Sequence, residues 1–361
     1  MYRDIDAAEL AARLGTDDEP FVLDVREPDE VAEWAIPGSR NVPSRQLEQR
    51  IVELPRDREV VVVCASGNRS ALAADFLAGR ELRVANLRGG MAAWGSVYDW
   101  VVIEFDGVRV VQVRRRGKGC LSYVIGAGDE AFVVDPSIDV GIYEEVAAEH
   151  GWRITRVFDT HLHADHLSGA RTLAERTGAS LHLNSADTFE FAFEPLHDGD
   201  RFPLGANVTL SVAALGTPGH TQGSTIYFVG DRAVLTGDTL FVDGVGRPDL
   251  AERAEEFAHN LYHSLHERVL TLADDTLVLP GHYGDAVRVR SDAPVGASLG
   301  ELRAALVPLG LDENAFVGWA TARSTERPPN YVEIIKANMG RSDLPLPQLQ
   351  RLEAGPNRCS A

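Results

Sequence analysis

The sequence predicts an α/β protein made of two successive units. Apolar runs of strand length alternate with amphipathic stretches of helical period along most of the chain, the pattern of strands covered by helices. The alternation pauses near residue 98 and restarts near residue 118, and 361 residues are enough for two separate cores. A hydrophobic fraction of 44% and a charged fraction of 25% place the chain among ordinary globular proteins.

In the first unit, residues 1–98, the runs Phe21-Val22-Leu23-Asp24-Val25 and Val60-Val61-Val62-Val63-Cys64 read as strands, and residues 7–14, 45–54 and 69–77 read as helices. Short apolar strands separated by helices imply a largely parallel sheet. Residues 99–117 hold the apolar Trp100-Val101-Val102-Ile103 and the basic Arg114-Arg115-Arg116. A floppy linker would be richer in Gly, Ser or Pro, so an ordered connection is expected there. The second unit, 118–361, has strand-like runs at 120–125, 131–134, 154–158, 208–214, 224–229, 233–235 and 276–279, with helical stretches at 142–150 and 170–177. It ends in a C-terminal extension whose tail after Pro345 is expected to fray.

Composition narrows the partners. The net charge is −19, with only two lysines among 35 basic residues, which argues against nucleic acid because phosphate contacts need clustered cations. No apolar run approaches the roughly 20 residues needed to cross a bilayer, so no membrane partner is expected. Met1-Tyr2-Arg3-Asp4-Ile5-Asp6 is not a basic-then-apolar signal segment, and a cytoplasmic location follows as the expectation. The three cysteines, at 64, 120 and 359, are too scattered for a disulfide framework and fit a reducing compartment.

The chemistry is concentrated in two places. The first is Thr160-His161-Leu162-His163-Ala164-Asp165-His166, directly after an apolar run, where three imidazoles and a carboxylate fall within six residues. Further donors follow in short Gly-containing turns: His220 in Thr217-Pro218-Gly219-His220-Thr221, Asp238 in Thr236-Gly237-Asp238-Thr239, and His282 in Pro280-Gly281-His282. Imidazole and carboxylate suit zinc or iron, and the absence of cysteine from the set argues against a Cys-based structural zinc. Loops at strand ends are where such ligands belong.

The order His-x-His-x-Asp-His, His, Asp, His resembles the metallo-β-lactamase superfamily, and all seven of that superfamily's ligand positions are filled. The resemblance implies an αββα sandwich of two mixed sheets with the metal at one edge, over about residues 110–290. It leaves the reaction open. Asp165, His166 and His282 permit a second metal with Asp238 bridging, whereas His161, His220 and Asp238 alone form the two-His-one-carboxylate set suited to Fe(II) and dioxygen. In the second case His163, Asp165, His166 and His282 become an outer shell.

Other segments are similar to the persulfide dioxygenases: 237–250 with its Gly-Arg-x-Asp element, Gly119-Cys120-Leu121-Ser122-Tyr123-Val124-Ile125 with Val134-Asp135-Pro136, and Arg327-Pro328-Pro329-Asn330-Tyr331. A glyoxalase II would usually carry His-Glu-Tyr at the last ligand and a longer helical domain; here His282 is followed by Tyr283-Gly284-Asp285. Eukaryotic dioxygenases usually place their tyrosine two residues after that histidine, so Tyr283 departs from their pattern as a substrate-side group. Arg247 suits a carboxylate of a thiol tripeptide such as glutathione and suits equally an ion pair with Asp243 or Asp249. Cys120, inside an apolar strand, reads as core, and Cys359 as a tail residue.

The second place is Cys64-Ala65-Ser66-Gly67-Asn68-Arg69-Ser70, between the all-valine strand and a helix. Backbone N–H groups and a helix N-terminus around the sulfur favour an anion, making Cys64 a nucleophile candidate. With Asp24-Val25-Arg26-Glu27, Ile36-Pro37-Gly38 and Leu87-Arg88-Gly89-Gly90-Met91, this loop resembles the rhodanese family. Ala35 stands where such modules often have a histidine. The resemblance implies sulfur transfer through a Cys64 persulfide, with Arg69 and the loop residues Ala65, Ser66, Gly67, Asn68 and Ser70 stabilising the anion.

Together the resemblances imply a rhodanese-like parallel-sheet domain followed by a metallo-β-lactamase sandwich. The implied function is sulfur transfer plus Fe(II)/O2-dependent oxidation of a low-molecular-weight thiol persulfide to sulfite, with one iron per dioxygenase domain. Thiol persulfide, thiosulfate or sulfite and O2 are the implied small-molecule partners. Superfamily dioxygenases are commonly dimers, so the resemblance allows a homodimer. The alternatives are a thioester or lactone hydrolase of glyoxalase II type with one or two zinc ions, and a sulfide or redox sensor modified at Cys64.

Overall fold

The computed structural model describes residues 2–105, 107–205, 208–214 (backbone), 216–249, 253–284, 286–323, 330–342 and 344–352. Residues 327–329, Asp285 and Cys359, which entered the sequence reading, lie outside that set.

The N-terminal unit is a five-stranded sheet of β1 (Arg3–Ile5), β2 (Phe21–Asp24), β3 (Arg40–Asn41), β4 (Val60–Val63) and β5 (Val84–Leu87) in the order β1-β5-β4-β2-β3. Every neighbouring pair is parallel. β4 is all valine because both of its faces are covered: Val61 and Val63 pack with Leu10 and Trp94, and Val60 and Val62 with Leu54 and Leu77. The helices Ala7–Arg13 and Asn68–Ala78 match the amphipathic stretches; the third stretch breaks into the short turns Ser44–Gln46, Leu47–Arg50 and Ile51–Glu53.

The rest of the chain builds two mixed sheets. A seven-stranded sheet runs through β6 (Tyr98–Phe105), β7 (Val108–Arg115), β8 (Cys120–Ala127), β9 (Glu130–Val134), β10 (Arg153–Phe158), β11 (Ser180–Leu183) and β12 (Glu194–Pro195), in reverse sequence order. A six-stranded sheet follows in sequence order: β13 (Arg201–Leu204), β14 (Val208–Ala214), β15 (Ile226–Val229), β16 (Ala233–Gly237), β17 (Leu277–Pro280) and β18 (Ala297–Ser298). Alternation along each strand divides inner from outer residues. Val110, Tyr123, Phe132, Phe158, Tyr227, Leu235 and Leu279 fill the space between the sheets. Val111, Val124 and Val133 face Tyr143, Val146 and Leu173 of the helices Gly141–His150 and Ala170–Thr177, while Val234 and Val278 face Leu261 and Phe316 of Ala254–Ser264 and Glu313–Ala322. The result is the αββα layering.

Most of the described residues of 99–117 lie in the antiparallel hairpin β6–β7 at the edge of the seven-stranded sheet. The segment is thus part of the second unit's architecture as well as its connection to the first. Its burial on β7 is nearly continuous, so it lacks the alternation that would mark a strand in sequence. The turn after β7 is tied to the first unit by Trp34 Nε1 donating to Gly117 O at 2.8 Å and Arg115 Nε donating to Gly95 O at 2.9 Å. After Pro345 a further helix, Leu346–Leu352, forms where fraying was expected. Among the described residues no helix is long and apolar enough to cross a membrane.

Candidate metal centre and cysteine loop

The seven donors converge because of where four strands end. The loop 159–166 leaves β10, His220 lies between β14 and β15, and Asp238 and His282 follow β16 and β17. β16 and β17 are parallel neighbours with Gly237 opposite Pro280, so their ends lie side by side. The two sheets are joined at this edge by an antiparallel bridge between Cys120 and His282, with Leu121 N donating to Gly281 O at 2.8 Å and Tyr283 N to Gly119 O at 3.1 Å. Gly237 has φ +49°, and a Cβ there would lie 2.5 Å from Thr160 Oγ1, so only glycine lets the two sheets approach at this point.

Each imidazole is pinned through one nitrogen, which leaves the other as a lone-pair donor. Thr160 Oγ1 gives its proton to Asp135 Oδ2 at 2.8 Å and therefore accepts from His161 Nδ1 at 2.9 Å. His220 Nδ1 donates to Arg247 O at 3.1 Å, His166 Nδ1 to Asp165 Oδ1 at 3.2 Å, His282 Nδ1 to Asp238 Oδ1 at 2.6 Å, and His163 Nε2 to Asp135 Oδ1 at 3.2 Å. The remaining atoms, Nε2 of His161, His166, His220 and His282, Nδ1 of His163 and Oδ2 of Asp165 and Asp238, are buried with no hydrogen-bond partner among the described residues. Leaving a buried polar atom unmade costs about 1–3 kcal/mol. Several of these lone pairs also face one another: Asp238 Oδ2 lies 3.4 Å from His220 Nε2 and 3.8 Å from His161 Nε2, and Asp165 Oδ2 lies 3.1 Å from His282 Nε2. Acceptors crowded in this way fit a cation between them, so the residues present suit the metal that the fold implies.

The donors fall into three groups, each able to hold an ion: His161, His220 and Asp238; Cys120, Asp165, His166 and His282; and Asp135, Asp159 and His163. Burial and the neighbouring His163 keep His161 neutral well below the usual imidazole range, and burial does the same for His220. Burial opposes charge on Asp238, but the His282 and His161 imidazoles hold its carboxyl below the usual range.

Cys120 does not sit in the purely apolar setting its sequence suggested. As the first residue of β8, bridged to His282, it lies at the metal edge. Burial raises its thiol pKa, but His166 and His282 outweigh that and bring it to about 6. Arg247 is 1% exposed, and its fork is held by Asp249 at 2.7 and 2.8 Å. An Arg247–Asp249 ion pair is thus present, and the Arg247 carbonyl accepts from His220 at the metal edge. Tyr283 is buried in the core between the sheets against Gly119, and burial pushes its hydroxyl pKa up.

Three supports were not singled out in sequence. Asp135 takes a left-handed φ of +53°, uncommon for a non-glycine, and accepts from Thr160 N at 2.6 Å as well as from His163. Asp187 accepts from Leu162 N, Gly223 N and Thr221 Oγ1 at 2.8–3.0 Å, clamping the His161 loop to the His220 loop. Asn338, from the helix Tyr331–Asn338, donates to His163 O at 2.9 Å and His166 O at 2.8 Å. An aspartate just past an apolar run, in Val134-Asp135-Pro136, was the visible hint for the first; nothing local marks the other two.

Cys64 is 1% exposed, between β4 and the helix Asn68–Ala78. Gly67 N donates to Sγ at 3.2 Å, and Ser70 Oγ lies 3.3 Å from it. Burial raises this thiol's pKa, but hydrogen bonds from Ser70, Ser66 and Gly67 outweigh it and leave the group below its ordinary value. Ala65 O accepts from Ala92 N and Cys64 O from Met91 N, so the loop is fastened to the helix Gly90–Trp94. Asn68 opens the helix. Arg69 is bound in a fork to Glu30 at 2.6 and 2.8 Å, holding that carboxyl at about 2; it acts on Cys64 through charge.

Comparison with known proteins agrees with this division. A rhodanese-like domain family matches residues 6–96 and the metallo-beta-lactamase superfamily matches residues 115–282. The chain is 30% identical to human persulfide dioxygenase ETHE1 over 45% of its own length and 63% of that protein, and 38% identical to the hydroxyacylglutathione hydrolase of Rhizobium etli over 38% of its own length and 52% of that protein. The solved structure of ETHE1 from Myxococcus xanthus matches with 30% identity and a TM-score of 0.57, covering 64% of this chain and 99% of that one. The chain belongs to the metallo-beta-lactamase superfamily and carries a rhodanese-like domain ahead of its metal-binding fold.

Proposed function

We propose that the chain is a bifunctional enzyme of sulfur metabolism, in which residues 1–98 transfer sulfane sulfur through Cys64 and the sandwich, 118–361 joined through 99–117, oxidises a small thiol persulfide to sulfite. The observation that carries the second activity is the use of Asp238: Oδ2 faces His161 and His220, while Oδ1 accepts from His282. With Oδ1 engaged by His282, Oδ2 is the oxygen that would join His161 and His220 in a two-His-one-carboxylate set able to hold Fe(II). An Fe(II) ion held there supplies dioxygen activation. Thr160 and the Arg247 carbonyl engage the Nδ1 atoms and aim the two imidazoles inward, while burial keeps them neutral.

In the first activity the Cys64 thiolate attacks the outer sulfur of thiosulfate. The S–S bond breaks, sulfite leaves with its electron pair, and Cys64 carries the sulfur as a persulfide. An acceptor thiolate then takes that sulfur, and the Cys64 thiolate is restored. The loop N–H groups of Ser66 and Gly67 and the Ser70 hydroxyl hold the anion at both stages. In the second activity persulfide, O2 and water become thiol, sulfite and protons. The reverse transfer, sulfite plus persulfide giving thiosulfate, uses the same groups. Unpaired Cys64 and Cys120 suit a reducing compartment such as the cytoplasm.

Metal analysis and oxygen uptake with glutathione persulfide, on protein purified without oxygen, test the reading. About one iron per chain, with O2 consumed and sulfite formed, is expected. A zinc-loaded protein that consumes no O2 and hydrolyses glutathione thioesters would establish the hydrolase alternative in its place.

A further inference from the structure

His161, His163, Asp165 and His166 share one short loop, and that loop is held by a residue from outside the matched superfamily region. The superfamily match ends at residue 282, whereas the helix Tyr331–Asn338 belongs to the C-terminal extension. Its last residue, Asn338, spends both polar atoms of its side chain on the loop backbone. Nδ2 donates to His163 O at 2.9 Å and to His166 O at 2.8 Å, and Oδ1 accepts from Ser168 N at 3.0 Å. The end of the helix is itself latched to the sandwich. Glu190 N donates to Met339 O at 2.8 Å, and Arg341 pairs with Glu190 at 2.6 Å. Gly340 turns the chain there at φ +84°, where a Cβ would lie 2.9 Å from the Phe191 ring.

We propose that Asn338 is a positioning residue for the metal centre, and that the helix Tyr331–Asn338 is a strap that sets the 163–168 backbone before any ion binds.

Three hydrogen bonds to one planar amide fix the peptide groups at 163, 166 and 168 relative to one another, and with them the directions of the side chains between. The constraint continues to the start of the loop. His163 Nε2 donates to Asp135 Oδ1, Asp135 Oδ2 accepts from Thr160 Oγ1, and Thr160 Oγ1 accepts from His161 Nδ1. Asn338 thus stands at one end of a hydrogen-bonded frame, and His161 stands at the other. Asp187 takes Leu162 N from the side of the His220 loop, so the donor loop is clamped by two separate segments. Ordering a loop costs backbone entropy, and a strap that meets this cost during folding leaves more of the ion's binding energy to appear as affinity. The inference rests on the proposed metal centre but not on the reaction proposed there. A hydrolase would leave it standing, and its failure would leave the oxygen-uptake test untouched.

The test compares the full chain with Asn338→Ala and Asn338→Asp by competition against a chelator and by the visible spectrum of bound Co(II). Asn338→Asp nearly keeps the shape and still accepts from Ser168 N, but it sets a carboxylate oxygen against the carbonyls of His163 and His166. Both variants should therefore lose about 10- to 100-fold in metal affinity, with altered Co(II) bands in the saturated protein. A contact that only adds stability would leave those bands unchanged. Affinity and spectrum equal to the parent's in folded Asn338→Asp overturn the proposal. A second measurement needs no variant: amide hydrogen exchange at Ser168 in the metal-free parent. Protection close to that of the metal-loaded protein is expected, and exchange at the rate of an unstructured chain would show that the ion, and not Asn338, orders the loop.

Discussion

The Cys64 loop draws its groups from seven consecutive residues, Cys64 to Ser70, and most of them act through backbone N–H. The metal edge draws seven donors from four separated segments, and all of them act through side chains. A site made of backbone depends on local conformation: Gly67 at φ +93°, and Gly90, whose Cβ would lie 2.1 Å from Cys64 O. A site made of side chains depends on strand register and on clamps distant in sequence, such as Asp187. The first therefore concentrates its chemistry in one sulfur, while the second spreads its tolerance and its vulnerability over the whole sandwich.

The largest expected effect separates the two. Asp238→Ala removes one of the three donors of the His161, His220 and Asp238 set and leaves His282 Nδ1 without its acceptor; it should abolish bound iron and lower oxygen uptake by at least about 100-fold. Thiosulfate-to-cyanide sulfur transfer should be unchanged. Cys64→Ala should do the reverse, eliminating sulfur transfer with metal content and persulfide-dependent oxygen uptake intact. Loss of both activities in either well-folded variant would show that the two centres are one functional unit and break the comparison.

A smaller effect probes the clamps. Asp187→Ala deletes three hydrogen bonds that join the His161 loop to the His220 loop without touching a donor atom. Residues that orient metal ligands typically account for about 10- to 100-fold in metal affinity. Competition against a chelator should show a loss in that range for Asp187→Ala, and sulfur transfer should again be unaffected. Affinity equal to that of the parent would mean that the loops are held by their strands alone.

The same contrast explains what could be read in the sequence. The Cys64 loop was legible almost entirely, because its parts are contiguous and its strand is an unbroken valine run. The metal donors were legible because they lie in four short motifs. Their partition was not, since it depends on which oxygen of Asp238 faces which imidazole. Cys120 was hidden for a related reason: in sequence it opens an apolar strand, and only pairing across the sheets brings it to His282. Residues 99–117 read as a connection from their position and their apolar and basic runs, and the pairing of β6 with β7 is visible in the structure alone. Arg247 offered two equal readings, and its burial beside Asp249 gave the ion pair. Arg69, which the rhodanese resemblance assigns to the sulfur anion, has its fork bound by Glu30 from the helix Pro28–Glu33, a partner that no local motif marks.

The smallest expected effect concerns protons at the Cys64 loop. Hydrogen bonds from Ser70, Ser66 and Gly67 favour the thiolate against the opposing effect of burial. A thiol whose pKa is lowered is ionised at a lower pH, so thiolate absorbance in the far ultraviolet, taken as the difference between the parent and Cys64→Ala, should rise with a midpoint below that of the same thiol without these hydrogen bonds. Ser70→Ala removes a donor to the anion, so the midpoint should move upward. A charge-assisted hydrogen bond of roughly 1.4 kcal/mol corresponds to about a tenfold effect, and sulfur transfer near neutral pH should slow by about that factor. The deficit should close in alkaline solution, where both proteins are fully ionised. A deficit that persists at high pH would mean that Ser70 serves mainly through its bond to Asn86, at 2.7 Å, and holds the shape of the loop rather than the charge on its sulfur.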